Sequence, residues 1–243
     1  AEFRTRETQQ GDIELRFNPD YFFKTVSQKF NEDIARTGAR YAISPHQDFI
    51  VSGMYKNRNG GPVLQDSVGR LSQKGYQVEA QYHLRKTFLN LVTGGGVYDI
   101  WFENHAYNLK EELNTNMHFY SNVYLPKNAT ATLGVSYNAY KRRGENPSIP
   151  LDFNEIDPKM GLQWDITNRF RLRAAWLETV TSGLIAQQTL EPTQVAGFNQ
   201  LFDDPVGTRS RRKGVGLDTK IAKDFYGGIE GSIRHLAVPF ING

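Results

Sequence analysis

The stretch from residue 113 to residue 141 constrains the fold of this chain more than any other. In its second half, residues 129–140, one parity is apolar and the other is polar or small. The apolar set is Ala129, Ala131, Leu133, Val135, Tyr137 and Ala139. Because successive side chains of a β-strand point to opposite faces, this segment is predicted to be a strand with one apolar and one polar face.

The preceding residues repeat the pattern and complete a hairpin. Residues 113–125 alternate in the same way, and the segment Leu125-Pro126-Lys127-Asn128 has the composition of a tight turn. Pro restricts φ there, and Asn tolerates the left-handed conformation. Each arm has about 11 residues, the length that a tilted strand needs to cross a bilayer. The sequence therefore predicts a membrane-spanning β-hairpin.

Composition supports strands as the membrane-crossing elements. The mean hydropathy of −0.55 is too polar for a helical membrane protein, and no apolar run approaches the roughly 18 residues of a spanning helix. A barrel fits, because half of each strand faces a polar interior. The 243 residues include no Cys, which removes disulfides and thiolate metal sites, and a net charge of +3 gives little support for a nucleic-acid partner.

Short turns recur along the chain. They fall at Pro45, Arg85, Pro126, Thr167 and Lys223, which are 40, 41, 41 and 56 residues apart. Between the hairpins lie predicted loops at residues 8–31, 57–73, 142–154 and 178–213. The short turns are then all at one end of the sheet, as in outer-membrane barrels with short periplasmic turns and long extracellular loops.

The fold is predicted to be all-β, an antiparallel transmembrane β-barrel with about 11 strands in this chain. Gly94-Gly95-Gly96 is interpreted as a bulge or bend within a strand. Bacterial barrels close with even strand numbers, so residues 1–243 are expected to be a single segment of a larger barrel, incomplete at both ends. The alternative is a soluble sandwich, whose strands usually have about 5–6 residues.

Strand parity assigns side chains to the two faces. The charged side chains predicted to face the lumen are Arg36, Arg40, Glu79, Arg171, Arg173, Asp218, Lys220, Glu230 and Arg234. The apolar side chains predicted to face lipid are Leu133, Val135, Tyr137, Leu162, Leu172 and Leu217. The lumenal charges are consistent either with a packed network of salt bridges or with a basic stripe that guides an anionic solute, because rings of charge set pore selectivity.

Several strand segments resemble the barrel of TonB-dependent outer-membrane receptors. The segments are Gly38-Ala39-Arg40-Tyr41, Leu133-Gly134-Val135-Ser136-Tyr137, Asp157-Pro158-Lys159-Met160-Gly161-Leu162 and Trp164-Asp165-Ile166-Thr167. Residues 190–204 are similar to barrels that are fused behind tetratricopeptide repeats in proteobacterial outer-membrane proteins. The first resemblance implies a receptor-like barrel, although no TonB box or plug domain is visible. The second implies an export porin.

The predicted loop of residues 178–213 is too long for a simple connection. It contains Leu184, Ile185, Leu190, Val195, Phe198, Leu201 and Phe202, which water would otherwise surround. Loops of more than about 15 residues without regular structure usually have a function or a structure of their own. We therefore expect this loop to fold partly back toward the lumen.

Catalytic chemistry has little support in the sequence. None of the five His residues has a partner at metal-ligand spacing, and no strand places a Ser, a His and an orienting group together. We therefore expect no catalytic residue, no metal, no cofactor and no enzymatic activity.

These observations favour a segment of a Gram-negative outer-membrane barrel, either a porin or a TonB-receptor-like barrel, that passes a solute or polymer. Its expected partner is membrane lipid, and protein partners in the periplasm or at the cell surface are left open. A plugged barrel acting as a structural anchor or scaffold is the alternative, and a soluble carbohydrate-binding sandwich is a third. An open lumen favours transport, whereas a lumen filled by residues 178–213 favours the scaffold.

Overall fold

The alternating stretches of the sequence fold into long antiparallel strands. The computed structural model describes residues 1–11, 27–64, 67–68, 71–104, 107–144, 151–185, 188–202 and 204–239. The longer strands are β1 Glu2–Gly11, β2 Ser27–Ser44, β3 Gln47–Leu64, β5 Leu71–Lys86, β6 Leu89–Asn104, β7 Tyr107–Leu125, β8 Ala129–Gly144, β9 Asp152–Asp165, β10 Phe170–Val180, β13 Arg209–Ala222 and β14 Phe225–Ala237. The two-residue strands are β4 Ser67–Val68, β11 Gln194–Val195 and β12 Phe198–Asn199.

The eleven long strands form one sheet in chain order, from β1 to β14. Strand β4 pairs with β3, and β11 and β12 form a separate two-stranded sheet. The predicted all-β class and the count of about 11 strands are confirmed. The observed pairing is one continuous sheet, which differs from the two packed sheets of the alternative sandwich. In the described residues, β1 pairs only with β2 and β14 only with β13, so this sheet is open.

The short turns all lie at one end of the sheet. Strand β2 ends at Ser44 and β3 begins at Gln47, as predicted for the turn at Pro45. At the turn between β7 and β8, Lys127 and Asn128 have φ of 62° and 57°, in the left-handed region that Asn tolerates. The turn predicted at Arg85 lies two residues later in the structure, because β5 continues to Lys86.

The strands extend farther from the short turns than the sequence predicted. β3 has 18 residues and continues to Leu64, and β5 begins at Leu71, so residues 57–64 and 71–73, predicted as loop, are strand. Backbone pairing needs no side-chain alternation, and the alternation ends before the pairing does. Residues 12–26 and 145–150, which belong to other predicted loops, lie outside the described residues.

Gly94-Gly95-Gly96 does not form a bulge, which corrects that half of the prediction of a bulge or bend. The pairing of β6 with β5 and with β7 continues through these residues without a register shift. A Cβ at Gly94 would lie 2.5 Å from the Ala80 carbonyl oxygen and 2.8 Å from Nε2 of His118. The glycine therefore leaves room for a neighbouring side chain.

The outer face of the sheet carries a band of apolar side chains that begins at the short turns. This band is bounded at its other end by Lys74 on β5, Lys141 on β8 and Lys213 on β13. The band therefore covers about 10 residues of a strand, the length required to cross a bilayer. Within the described ranges, no helix has the length and apolar character needed to cross a membrane.

Candidate functional site

The candidate site is the inner face of the sheet together with the segment that covers it. Residues 181–208, here called the inner loop, connect β10 to β13, and the described residues of this segment (181–185, 188–202 and 204–208) lie against the inner face. The prediction that residues 178–213 fold back is confirmed. The bounds differ because Val180 still pairs with Arg209, and Glu178 with Arg211, as strand residues.

Glu79 on β5 holds the first part of the inner loop. Its Oε1 accepts hydrogen bonds from the Thr189 hydroxyl at 2.7 Å and from the Leu190 amide at 2.9 Å. The same oxygen accepts a bond from the Tyr98 hydroxyl at 2.7 Å, and Gln77 donates to Oε2 at 2.8 Å. Because Glu79 is only 4% exposed, these bonds replace the water that a buried carboxylate would otherwise need.

Two glutamines flanking Glu79 bind the backbone of the same segment. Nε2 of Gln77 donates to the Gln188 carbonyl at 2.8 Å, and Nε2 of Gln81 donates to the Leu190 carbonyl at 2.6 Å. The polar side chains of β5 thus provide hydrogen-bond partners for backbone carbonyls in a segment that has no regular secondary structure. Such groups must find partners when they are buried.

Glu191 holds the middle of the inner loop. It accepts a hydrogen bond from the Tyr120 hydroxyl at 2.6 Å, and Nζ of Lys159 lies 3.7 Å from the same oxygen. Gln200, at the far side of the β11–β12 hairpin, donates to the Tyr120 hydroxyl at 2.8 Å. Lys159 also donates to the Ser136 hydroxyl. Buried charges persist only when they are paired and hydrogen-bonded, as this pair is.

The β11–β12 hairpin packs into gaps left by glycines on the inner face. A Cβ at Gly161 of β9 would lie 2.6 Å from Cβ of Ala196, and one at Gly214 of β13 would lie 2.7 Å from Cδ1 of Phe198. Ala196 and Gly197 form the turn of the hairpin with positive φ. The absence of side chains at the two sheet positions therefore allows the hairpin to approach the backbone closely.

Two arginines flank the Phe198 ring. The guanidinium carbon of Arg173 lies 5.1 Å from the ring centroid and that of Arg212 lies 5.8 Å from it. Arg173 donates to both carboxylate oxygens of Asp218, at 2.6 and 3.0 Å, and Arg212 donates to Glu230 at 3.1 Å. Cation–π contacts of this kind are worth about 0.5–2 kcal/mol each.

Cross-strand register places the nine charges predicted to be lumenal on this inner face. They are Arg36, Arg40, Glu79, Arg171, Arg173, Asp218, Lys220, Glu230 and Arg234. Most are ion-paired, for example Arg40 with Asp48 at 2.6 Å and Arg171 with Asp165 at 2.6 Å, and Arg234 pairs with Asp204 of the inner loop. Lys220 lies over the Tyr226 ring. These contacts favour a network of paired charges over a stripe of free cations.

The six side chains predicted to face lipid lie on the opposite face. They are Leu133, Val135, Tyr137, Leu162, Leu172 and Leu217. Five are exposed and Leu172 is half-buried. That this face meets lipid stays a prediction.

Several residues that hold the inner face together are not among those predicted from the sequence. Asp157 and Lys159 share the polar parity of β9, so alternation could have identified them. Asp48, which pairs with Arg40 and Arg85, immediately precedes residues 49–56, whose alternation is ambiguous. Glu112 forms an ion pair with Arg142 at 3.1 Å and lies one residue before the predicted hairpin of residues 113–141. Glu191 carries no local signal, because its partners are more than 30 residues away in sequence.

No metal cluster is found among the residues that the structure describes, in the sense of three or more His, Cys, Asp or Glu side chains that could hold one ion. His118 lies 3.1 Å from Nε2 of Gln81, and His83 lies 2.6 Å from Oε1 of the same residue. These two imidazoles therefore belong to the polar network. The absence of enzymatic activity stays a prediction.

The similarities found among known proteins are structural. No family model matches the sequence, and no match was found among curated proteins. The crystal structure of BauA, the ferric preacinetobactin receptor of Acinetobacter baumannii, superimposes with a TM-score of 0.58 and 11% identity over 81% of this chain. FyuA, the ferric yersiniabactin uptake receptor of Yersinia pestis, does so with a TM-score of 0.52 and 12% identity over 87% of this chain.

The chain spans about 36% of the length of either receptor. At such low identity the likeness concerns the fold, and it agrees with the strand segments that suggested a receptor-like barrel. The fold of this chain is similar to part of the barrel of these two outer-membrane receptors.

Proposed function

We propose that this chain forms part of the wall of an outer-membrane β-barrel in a Gram-negative bacterium, and that a solute or polymer passes beside its inner loop. The receptor-like fold and the apolar outer band support a membrane location. The polar inner face supports an aqueous interior, since barrel interiors are polar where water or solutes pass.

The observation that carries this proposal is the position of the inner loop. Its residues bind inner-face side chains on β5, β7, β9 and β14. Ile185 packs with Ile34, Met54 and Ile100, which adds β2, β3 and β6. A loop held on so many strands narrows any passage along this face. In a barrel as large as those of the two receptors, the loop would line one side of the lumen and leave space beside it.

A plugged barrel that serves as an anchor or scaffold is the second candidate. The buried bonds of Glu79 and Glu191 favour it, because they hold the inner loop firmly against the wall. If no other strands enlarged the barrel, this loop would fill most of its interior.

Planar-bilayer conductance of the intact protein distinguishes the two candidates. Passage predicts a measurable single-channel conductance that rises when residues 182–206 are deleted, because the constriction is removed. A scaffold predicts that the wild type produces no single-channel conductance. If both the wild type and the deletion variant leave the bilayer conductance unchanged, the proposal of passage is wrong.

A variant with the full-length inner loop controls for collapse of the deletion variant. Glu191→Gln keeps every residue of the loop and removes only the carboxylate that faces Lys159. If the loop constricts the passage, loosening it in this way should raise the conductance, although by less than the deletion does. A conductance equal to that of the wild type would show that the position of the loop does not limit the passage.

A further inference from the structure

A groove of about 870 Å³ lies across β9, β10, β13 and β14. Its walls include the apolar side chains of Met160, Leu162, Trp176, Val215 and Ile233. Ala174 and Gly231 form part of its floor, so the groove exists because small residues lie between larger ones. Its volume is within the range of about 300–1,000 Å³ that ligand sites have.

The groove opens on the outer face of the sheet. Cross-strand pairs put Trp176 beside Lys213, Lys213 beside Ile233, and Val215 beside Gly231 on one face. The opposite face of the same strands carries Gly161 and Gly214, against which the β11–β12 hairpin packs. No residue of that hairpin lines the groove. The groove therefore faces away from the inner loop.

Lys213 supplies a positive charge at the end of this groove that is farther from the short turns. It lies where the apolar band of β13 ends, two positions beyond Val215. The neighbouring Arg211 pairs with Glu178 at 2.5 Å and Arg209 pairs with Glu155. Among the described residues, the ammonium group of Lys213 has no ion-pair or hydrogen-bond partner. Of the three cations Arg209, Arg211 and Lys213 on this face of β13, Lys213 is therefore the one available to an external anion.

We propose that the groove binds one membrane lipid, with an acyl chain between Trp176 and Ile233 and its phosphate on the ammonium group of Lys213. This inference rests on the proposed function, because it requires the outer face to meet lipid. An apolar groove that ends in an unpaired cation matches the chemistry of a membrane lipid that joins acyl chains to an anionic phosphate. Basic residues at the membrane surface attract such headgroups.

Native mass spectrometry of the detergent-solubilised intact protein tests the proposal, with dioleoylphosphatidylglycerol as the added lipid and dioleoylglycerol as the phosphate-free probe. Lys213→Gln removes the cation. Gly231→Leu fills the groove, and its Cβ meets no atom within 4 Å, so the variant is expected to fold. Lys141→Gln is the matched control, because Lys141 also ends an apolar band on the outer face and is not part of the groove.

The proposal predicts that the wild type and Lys141→Gln retain one more phosphatidylglycerol per protein than Lys213→Gln and Gly231→Leu, and that dioleoylglycerol is not retained. Equal retention by all four proteins, an equal loss in Lys141→Gln, or equal retention of dioleoylglycerol would overturn it. A carbonate wash of bacterial membranes separates this result from the proposed function. If the wild type is released by the wash, the membrane location itself is wrong, whatever lipid binds in detergent.

Discussion

Nζ of Lys159 on β9 lies 3.7 Å from the carboxylate of Glu191 in the inner loop, and both side chains are almost completely buried. The pair joins the wall of the sheet to the segment that covers it. Neither side chain reaches water, so each depends on the other and on the surrounding hydroxyl groups of Tyr120 and Ser136. The stability of the covered state should therefore be sensitive to this one contact.

Glu191→Gln should loosen the inner loop, because it removes the carboxylate that pairs with the buried Lys159 charge and leaves only the more distant carboxylate of Asp157. Breaking a buried pair by removing one partner costs about 3–5 kcal/mol. Amide hydrogen exchange of residues 188–200 in phospholipid vesicles measures the effect where it occurs. The control is Glu178→Gln, which removes a more exposed ion pair with Arg211 and should cost about 1 kcal/mol or less. Equal exchange rates in the two variants would show that the buried Lys159–Glu191 pair does not stabilise the position of the inner loop.

Gly214→Ala should displace the β11–β12 hairpin, because the new Cβ would press on the Phe198 ring. Overpacking of this kind costs about 1–3 kcal/mol. Gly231→Ala on the adjacent strand β14 is the matched control, since nothing lies within 4 Å of its Cβ. Hydrogen exchange of residues 194–199 should rise in Gly214→Ala only.

A second substitution checks the cause of that displacement. Adding Phe198→Leu to Gly214→Ala shortens the opposing side chain and should lower the exchange rate relative to Gly214→Ala alone. If the double variant exchanges faster than either single variant, the effect of Gly214→Ala does not come from a clash with the ring.

Val135→Arg should destabilise the protein in vesicles by about 2–4 kcal/mol, because the outer-face position lies near the middle of the apolar band. Ala139→Arg lies on the same strand and face but next to Lys141, where an arginine costs about 0–1 kcal/mol. Chemical unfolding from phospholipid vesicles compares the two. Equal costs would contradict a membrane around this face. Ser136, on the opposite face, is no suitable comparison, because it is 2% exposed and its hydroxyl accepts a hydrogen bond from Lys159.

Asp48→Asn should shift the ion preference of the conducting protein toward anions. Asp48 is 2% exposed and pairs with both Arg40 and Arg85 near the short turns, so its neutralisation leaves two inner-face cations without a counterion. Rings of charge set selectivity in pores. The reversal potential under a salt gradient measures the shift, with the outer-face variant Lys141→Gln as the control. A reversal potential that Asp48→Asn leaves unchanged would place this cluster away from the ion path.

Alternation alone determined which side chains share a face. Leu133, Val135 and Tyr137 were assigned together, and the register agrees, because the two-residue period is a property of every extended chain. The turn at Pro126 was predictable for a similar reason, since Pro and Asn act on their own backbone. These features need no knowledge of distant residues.

Only the tertiary structure decided what covers the inner face. Glu79 binds Leu190, 111 positions away, and Tyr120 binds Glu191, 71 positions away. Gly94, interpreted as part of a bulge, makes room for His118 of the next strand. Contacts of this range depend on how the whole sheet brings strands together, and a single sequence carries no periodic signal for them. The faces of each strand follow from local backbone geometry, whereas the partners on those faces follow from the packing of the complete sheet.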